Sequence, residues 1–493
     1  MMCNNSYIAI LMLSFITLES NAHTLYSASD PLLIDRDEAA RSVKSADVTL
    51  TMDEAIALGM RDNPDIQSAY LQRITQKFDL RVSEDSFTPK MTISGIYLSG
   101  SNEDSKYSEK SIGPRATLLT PYGTRLSLGW AYQDRRSGSR EMYRNDGINF
   151  ELIQPLLRNA GKDVTTAPRE LARMIEAQNK LSLKATIAHK ITQIVIVYRE
   201  FLGAQETILI AKKSLERARE LMQVNQALIE AGRMAEFEIV QAEADVANQE
   251  LALEESKNNL EKSRLALLQL LSLDLNSRIK LSALPEPDYV KINTIKTMQI
   301  AKNTQPDYLR QLIENNIADV NALLAKNGQL WDLSLVAGAS QVTSRSEGFG
   351  ANKTWDKYVG VQVEIPIGDI STKREDVNAQ VIQRIKKIET YEMDQKLSQD
   401  ILEGIYTINT RWKQYEIAKH AYDLTLRKVN IEREKLLVGR STNFQVISYE
   451  NDLRNAGNSR LNASINYQNS LTEMDELTGT TLQSWGVNLK SRE

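Results

Sequence analysis

Apolar residues recur every seven positions along two very long stretches. The first seam reads Ile187, Ile194, Phe201, Ile208, Leu215, Met222 and Ile229, beside a row of small residues, Ala204, Ala211 and Ala218. The second reads Ile401, Ile408, Tyr415, Tyr422, Val429 and Leu436. Large knobs beside small positions suit close-packed helices. No proline lies between Pro168 and Pro285, and none follows Pro366. The pattern predicts a long helix over 168–231 and another over 372–437, each a rod of roughly 95 Å. A return helix follows each: 235–275, with Ile239, Val246, Leu253, Leu260 and Leu267, and 442–480, with Val446, Leu453, Arg460, Tyr467 and Met474.

The two turns are written alike. Glu230 to Glu243 reads EAGRMAEFEIVQAE and Leu437 to Glu450 reads LVGRSTNFQVISYE. Gly232 and Gly439 suit the position just past a helix end, where the left-handed conformation favours glycine. Arg233 and Arg440 follow them. Phe237 and Phe444 are expected to pack each return helix onto its neighbour.

Other segments alternate with period two, as strands do. They are Lys90 to Ser101, Arg115 to Gln133, Gly147 to Leu157, Asp332 to Thr343 and Tyr358 to Ile367. The polar stretches SNEDSKYSEKS and DRRSGSREMYRND read as exposed loops. Leu119 to Thr124, with Pro-Tyr-Gly, reads as an extra hairpin-like piece, leaving open whether it adds strands, folds outside them or makes one bent strand. Trp130, Tyr132, Trp355 and Tyr358 suit either interfacial anchors or core positions.

These elements come in the same order twice. A short helix (Leu50 to Arg61; Asn293 to Asn303) precedes Asn63-Pro64-Asp65 or Gln305-Pro306-Asp307, then a second helix (Ile66 to Ser86; Tyr308 to Asn327). Strands follow, over about 90–157 and 332–367, closing near Pro155 and Pro366 at the strand-to-helix passages. Thr51-x-x-Glu54 and Thr372-x-x-Glu375 have the spacing of capping boxes. The expected division is therefore a signal peptide over 1–22, an N-terminal segment over 23–49, a first repeat over 50–275, a linker over 276–291, a second repeat over 292–482 and a tail over 483–493.

Composition narrows the function. Net charge is −4, which argues against a nucleic-acid partner bound through bulk positive charge. Tyr7 to Leu18 is an apolar core of signal-peptide length ahead of Ser20-Asn21-Ala22. The only cysteine, Cys3, precedes that core. Beyond Ala22 no run of about 20 apolar residues occurs, so a membrane crossing would need a closed β-barrel. The histidines, His23, His189 and His420, lack ligand spacing, and no phosphate loop, dinucleotide glycine pattern or nucleophile arrangement is present. No metal, no cofactor and no catalytic site is expected; the chain does not read as an enzyme.

Taken in order, Ala57 to Asp65, the QPLLRNAG stretch from Gln154 to Gly161, its counterpart EIPIGDIS from Glu364 to Ser371, and the two Gly-x-x-x-x-Phe turns resemble the TolC-like outer membrane efflux protein family, over about residues 50 to 482. The resemblance implies a mainly α fold with a membrane β-barrel: a homotrimer whose strands share one barrel and whose antiparallel coiled-coil hairpins form an α-barrel tunnel. It implies an outer-membrane location in a Gram-negative bacterium, a large periplasmic part, and two protein partners, a periplasmic adaptor and an inner-membrane transporter. The turns would form the periplasmic tip. The family's acidic constriction positions fall on Glu238, beside Glu236, and on Gln241 in the first half, and on Gln445 and Ser448 in the second. Only the first turn keeps acids there, so the family's double ring is incomplete.

Each candidate has a plainer reading. Glu236 and Glu238 at a helix start also suit the macrodipole. Arg233 and Arg440 pair across the tip, contact an adaptor, or are simply solvated. Against the channel stands a second possibility, an exported coiled-coil structural or adaptor protein without a membrane barrel.

Overall fold

The computed structural model describes residues 48–101, 106–137, 141–282, 286–346, 350–368 and 370–487. The expected signal peptide, Cys3, His23, Leu284 with Pro285, and the end of the tail lie outside the described residues.

In chain order the elements are β1 (Val48–Leu50), α1 (Met52–Asp62), α2 (Pro64–Glu84), β2 (Lys90–Ser101), β3 (Lys106–Leu119), β4 (Arg125–Ser137), β5 (Glu141–Pro155), α3 (Lys162–Thr165), α4 (Ala167–Glu230), α5 (Glu238–Leu270), β6 (Ile279–Leu281), α6 (Thr294–Thr304), α7 (Pro306–Gly328), β7 (Asp332–Ser346), β8 (Gly350–Glu364), α8 (Ser371–Leu437), α9 (Asn443–Thr478) and α10 (Thr481–Ser484). The long helices α4 and α8 have 64 and 67 residues. Each spans roughly 100 Å at about 1.5 Å per residue.

Local chemistry explains the starts. Thr51 accepts from the Glu54 amide while Glu54 reaches back to the Thr51 amide, so the first capping box forms. The second does not. Helix α8 begins at Ser371 with Ile370 as its cap and no side-chain cap bond, which leaves Thr372 inside the first turn. Asn63 accepts from the amides of Asp65 and Ile66, and Gln305 accepts from the Tyr308 amide. Asn-Pro-Asp and Gln-Pro-Asp therefore do one job: a side-chain cap, then a proline whose missing N–H is harmless in a first helical turn.

The seams pack as their spacing requires. Ile187, Ile194, Phe201, Ile208 and Leu215 on α4 are buried, as are Ile401, Ile408, Tyr415, Val429 and Leu436 on α8. The small row Ala204, Ala211 and Ala218 is buried too. Each fully buried Ile or Leu contributes about 2 kcal/mol. Arg460 interrupts the α9 seam, and its guanidinium lies 4.3 Å from the centroid of the Tyr422 ring. A stacked cation thus fills an apolar position.

Near the middle, α1, α4, the end of α5, and the parallel pair β1–β6 enclose one core around Tyr198, whose hydroxyl donates to the Leu50 carbonyl at 2.8 Å. Leu50 is thus the end of a strand, not the start of a helix, and the expected linker holds that strand's partner. Three residues of pairing are too few to leave a periodic signal. A second core gathers α6, α8 and α9 around Tyr467.

Toward the sheet, four helices lie side by side in the order α2, α4, α7, α8. Toward the turns the order is α5, α4, α9, α8. The sheet has six strands in the order β2-β3-β4-β5-β7-β8, every neighbour antiparallel. Its edges are β2 and β8. The expected strand 115–133 is two strands, and Thr120 to Thr124 is the tight turn joining them. The described parts of the supposed loops are strand as well, belonging to Lys90–Ser101, Lys106–Leu119, Arg125–Ser137 and Glu141–Pro155. Polar residues on both faces hid the alternation there, although backbone pairing continues.

Candidate functional site: two hairpin tips and an open sheet

At the first tip Gly232 has φ of 66° and at the second Gly439 has φ of 72°. The Gly232 amide donates to the Ile229 carbonyl and the Arg233 amide to that of Leu228; Gly439 and Arg440 do the same to Leu436 and Lys435. Both are Schellman ends, which satisfy helix carbonyls that otherwise lack partners. The repeated Gly-Arg is thus first a stop signal. Arg233 also donates from Nη2 to the Leu437 carbonyl at 3.2 Å, tying the first turn to the end of α8.

The turns then diverge. Thr442 accepts from the Gln445 amide at 3.3 Å and starts α9 at Asn443. The corresponding residue of the first turn is Ala235, and α5 starts two positions later in register, at Glu238, with no side-chain cap. Glu236 is exposed, Glu238 and Gln241 are half-buried, Gln445 is exposed and Ser448 half-buried. Glu236 lies two residues before α5 and the other four within the first two turns of the return helices, so all five fall beside the hairpin turns. Phe237 and Phe444 correct the sequence reading. They are 75% and 64% exposed, because Leu221, Leu436 and Val446 fill the seam between the tips.

Pattern reading missed the polar contacts that fasten the tips. Asn225 is fully buried and donates to the Asn443 side chain at 2.8 Å; Asn443 donates in turn to the Glu238 carbonyl at 3.2 Å. Glu450, 5% exposed, accepts from Arg217 Nε of α4 at 2.7 Å. It meets Arg433 of α8 at 2.7 Å, an ion pair lacking hydrogen-bond alignment. Between the return helices, Gln249 donates to Asp245 at 3.1 Å and to Asn451 at 3.0 Å, and accepts from Arg454 at 2.9 Å. Burial pushes the Asp245 carboxyl above its usual range, opposed by those amide donors. A buried Asn or Glu at a heptad position was the available signal. Farther up, Arg199 is buried with no acidic partner among the described residues, donating to Gln468, Asn469 and Thr472, and desolvation pulls its pKa down to about 10.

The sheet register sorts its side chains into two faces. One carries Thr92, Ser94, Glu109, Ser111, Arg115, Ser127, Gln133, Asn149, Glu151, Ser340 and Gln362. The other carries Met91, Ile93, Ile112, Leu118, Leu126, Leu128, Trp130, Ile148, Phe150, Leu333, Leu335, Val359, Val361 and Val363. Trp130, Tyr132, Trp355 and Tyr97 share this apolar face. Tyr358 does not: it is on the other face, its ring over Gly338. Along each strand the apolar run stops, at Lys357 on β8, Gln341 on β7, Asp146 on β5, Asp134 on β4, Lys110 on β3 and Ser99 on β2. In register the Lys357 row reaches β2 at Met91, eight residues before Ser99. At about 3.3 Å per residue and 4.8 Å per strand the boundary slopes by roughly 45°.

Pro155 ends β5 and Pro366 lies just past β8. Gly161, with φ of 92°, and Gly368, with φ of 81°, then turn the chain into the helices. Among the described residues no helix is long and apolar enough to cross a membrane.

This fold is shared with channel proteins. The Campylobacter jejuni CmeC outer membrane channel superposes with a TM-score of 0.65 at 18% identity, covering 87% of this chain and 86% of that one. The Vibrio cholerae outer membrane protein VceC gives 0.65 at 10% identity, covering 87% and 96%. The open state of the Neisseria gonorrhoeae MtrE outer membrane channel gives 0.64 at 13% identity, covering 87% and 89%. No family model and no curated protein matches the sequence.

Proposed function

We propose that the chain is one third of a trimeric outer-membrane channel-tunnel, which gives substrates passive exit across the periplasm and outer membrane in a tripartite efflux pump or type I secretion system. One observation carries the reading. The six-stranded sheet is apolar on one face and polar on the other, unpaired at both edges among the described residues, and continuous with rods roughly 100 Å long. In a bilayer an open edge is untenable, because every N–H and C=O there needs a partner. An even strand number makes β2 and β8 antiparallel, so the edge of one copy can pair with that of the next. The edge helices make the same demand. Leu71, Ile74, Phe78 and Val82 on α2 are exposed, and so are Val377, Val381, Ile385 and Ile388 on α8.

Three copies, the number the resemblance implies, would give eighteen strands, four from the first half of each chain and two from the second. At about 4.8 Å spacing and about 40° tilt the backbone diameter is roughly 35 Å, wide enough for an aqueous lumen. The 45° boundary between apolar and polar residues is what tilted strands crossing a level bilayer require. The polar face lines the lumen.

At the far end six tips would surround one opening. Glu236 and Glu238 supply its carboxylates, with Gln241, Gln445 and Ser448 completing an otherwise uncharged ring. Like charges held close favour cations. The exposed Phe237, Val240, Val438 and Phe444 offer the apolar surface that a periplasmic adaptor would cover, and the adaptor links the tunnel to an inner-membrane transporter that supplies the energy. The chain itself performs no chemistry.

In a planar bilayer the purified protein should give stable, small conductance steps, and it should run as a trimer in SDS until heated. A protein recovered only in the soluble periplasm, without steps, would instead be the exported coiled-coil alternative. Glu238→Gln should shift the reversal potential in a salt gradient toward lower cation preference; an unchanged potential removes Glu238 from the constriction.

A further inference from the structure

Beyond the apolar run, the same sheet face becomes basic. It presents Lys106 and Lys110 on β3, Arg136 on β4, Arg144 on β5, Arg345 on β7, and Lys353 and Lys357 on β8, all exposed. Among the described residues that face holds two acids at this level, and arginines occupy both. Asp134 lies 3.5 Å from Arg136 and 3.6 Å from Arg144, and Asp146 accepts from Arg345 at 2.5 Å. The four lysines have no acidic partner among the described residues. Instead Lys110 lies 5.5 Å from the Tyr97 ring centroid, and Lys353 and Lys357 each lie 5.9 Å from that of Trp355. On the opposite face at similar height Arg135 donates to Glu109 at 2.8 Å.

We infer that these lysines, with Tyr97 and Trp355, form a collar that binds phosphorylated anionic lipid headgroups in the outer leaflet. The inference rests on the membrane-barrel reading above. Aromatic rings at the top of an apolar band mark the headgroup level, and a lysine there lays its stem along the ring and lifts its amine to the surface. A cation held at that level with no carboxylate among the described residues to neutralise it is matched by lipid phosphate. Closing the sheet sharpens the match. Lys353 and Lys357 are on the β8 edge, and Tyr97 and Lys110 are on the first two strands from the other edge, so each junction between copies gathers all four lysines.

The test uses the full-length protein in detergent, titrated with diphosphoryl lipid A or with phosphatidylcholine, and bound lipids are counted by native mass spectrometry. Lipid A should bind more tightly than phosphatidylcholine, and its affinity should fall with salt. The K106Q/K110Q/K353Q/K357Q variant should lose on the order of a hundredfold in lipid A affinity, while the matching arginine variant retains it. Equal affinity of the glutamine variant and the unaltered chain, or equal binding of the two lipids, overturns the collar. Bilayer conductance checks folding of each variant. If the quadruple change abolishes conductance, K106Q/K110Q and K353Q/K357Q are measured separately, each expected to lose about tenfold. Absence of conductance from the unaltered chain would strike the channel reading; intact conductance with no lipid preference strikes the collar alone.

Discussion

The two return helices carry carboxylates at the same two distances from their turn glycines, yet bury opposite members. Eleven positions on, Glu243 is exposed and Glu450 is buried between Arg217 and Arg433. Thirteen positions on, Asp245 is buried against Gln249 and Asn451, whereas Asp452 is exposed and lies 3.6 Å from Lys428. Helix α9 lies between α4 and α8, so one of its flanks looks into two long helices. Helix α5 is at the margin and touches α9 only lightly, so the equivalent flank looks outward and a neighbouring one looks toward α9. The shared motif sets the turn; the neighbouring helices decide what each acid does.

The largest test of that contrast is removal of the buried member. Glu450→Ala leaves the half-buried Arg217 without its acid and Arg433 with only the exposed Glu220 at 3.5 Å, and should destabilise the chain by about 3 kcal/mol. Glu243→Ala should stay within about 0.5 kcal/mol. Urea unfolding followed by helical circular dichroism would compare them, and equal shifts would mean that the burial difference has no energetic content.

The glycines probe what the tips share. No atom lies within 4 Å of a Cβ added at Gly232 or Gly439, so alanine there meets only backbone strain. With φ of 66° and 72° the two changes should each destabilise by about 1 to 2 kcal/mol. Unequal losses in the same unfolding measurement would show that the turns are not energetically alike.

Periodicity made the rods, their ends and the turns legible, since a seven-residue seam such as Ile187 to Ile229 repeats often enough to fix a face. The repeated turn motif likewise set Glu238 and Gln445 beside the two hairpin turns. Periodicity failed where an element is short, as at Val48–Leu50, and where strands have polar residues on both faces, as beyond Lys106. It failed too at Phe237 and Phe444, because an apolar residue beside a helix start has no periodic neighbours to say which way it faces. Glu450 was visible as a letter of the motif, but its two arginines are 233 and 17 residues away, on other helices.

A smaller difference lies in the caps. Thr442→Ala should remove a helix cap and destabilise the second turn by about 1 kcal/mol. Ala235→Thr should supply the missing cap and lengthen α5 toward its start, gaining up to about 1 kcal/mol. Amide exchange at residues 236–240 should slow in the threonine variant. Unaltered exchange there would mean that something other than the absent hydroxyl delays the start of α5.

The smallest expected effect concerns the buried Asp245. Its folded pKa is raised from 3.8 because burial disfavours the carboxylate more than Gln249 and Asn451 favour it. The unfolded chain therefore releases this proton first as pH rises. The stability that the protonated side chain contributes is full below about pH 4, falls as pH climbs through the raised folded value, and is flat above it. Asp245→Asn cannot ionise and keeps a polar group for the Gln249 contact, so it should be slightly more stable than the unaltered chain at neutral pH and should lose that fall. Asp452→Asn should retain it, because Asp245 is then untouched. Stability measured from pH 3 to 7 on both variants separates them: a fall that survives Asp245→Asn would place the titrating group elsewhere and remove the acid side of the contrast between the two return helices.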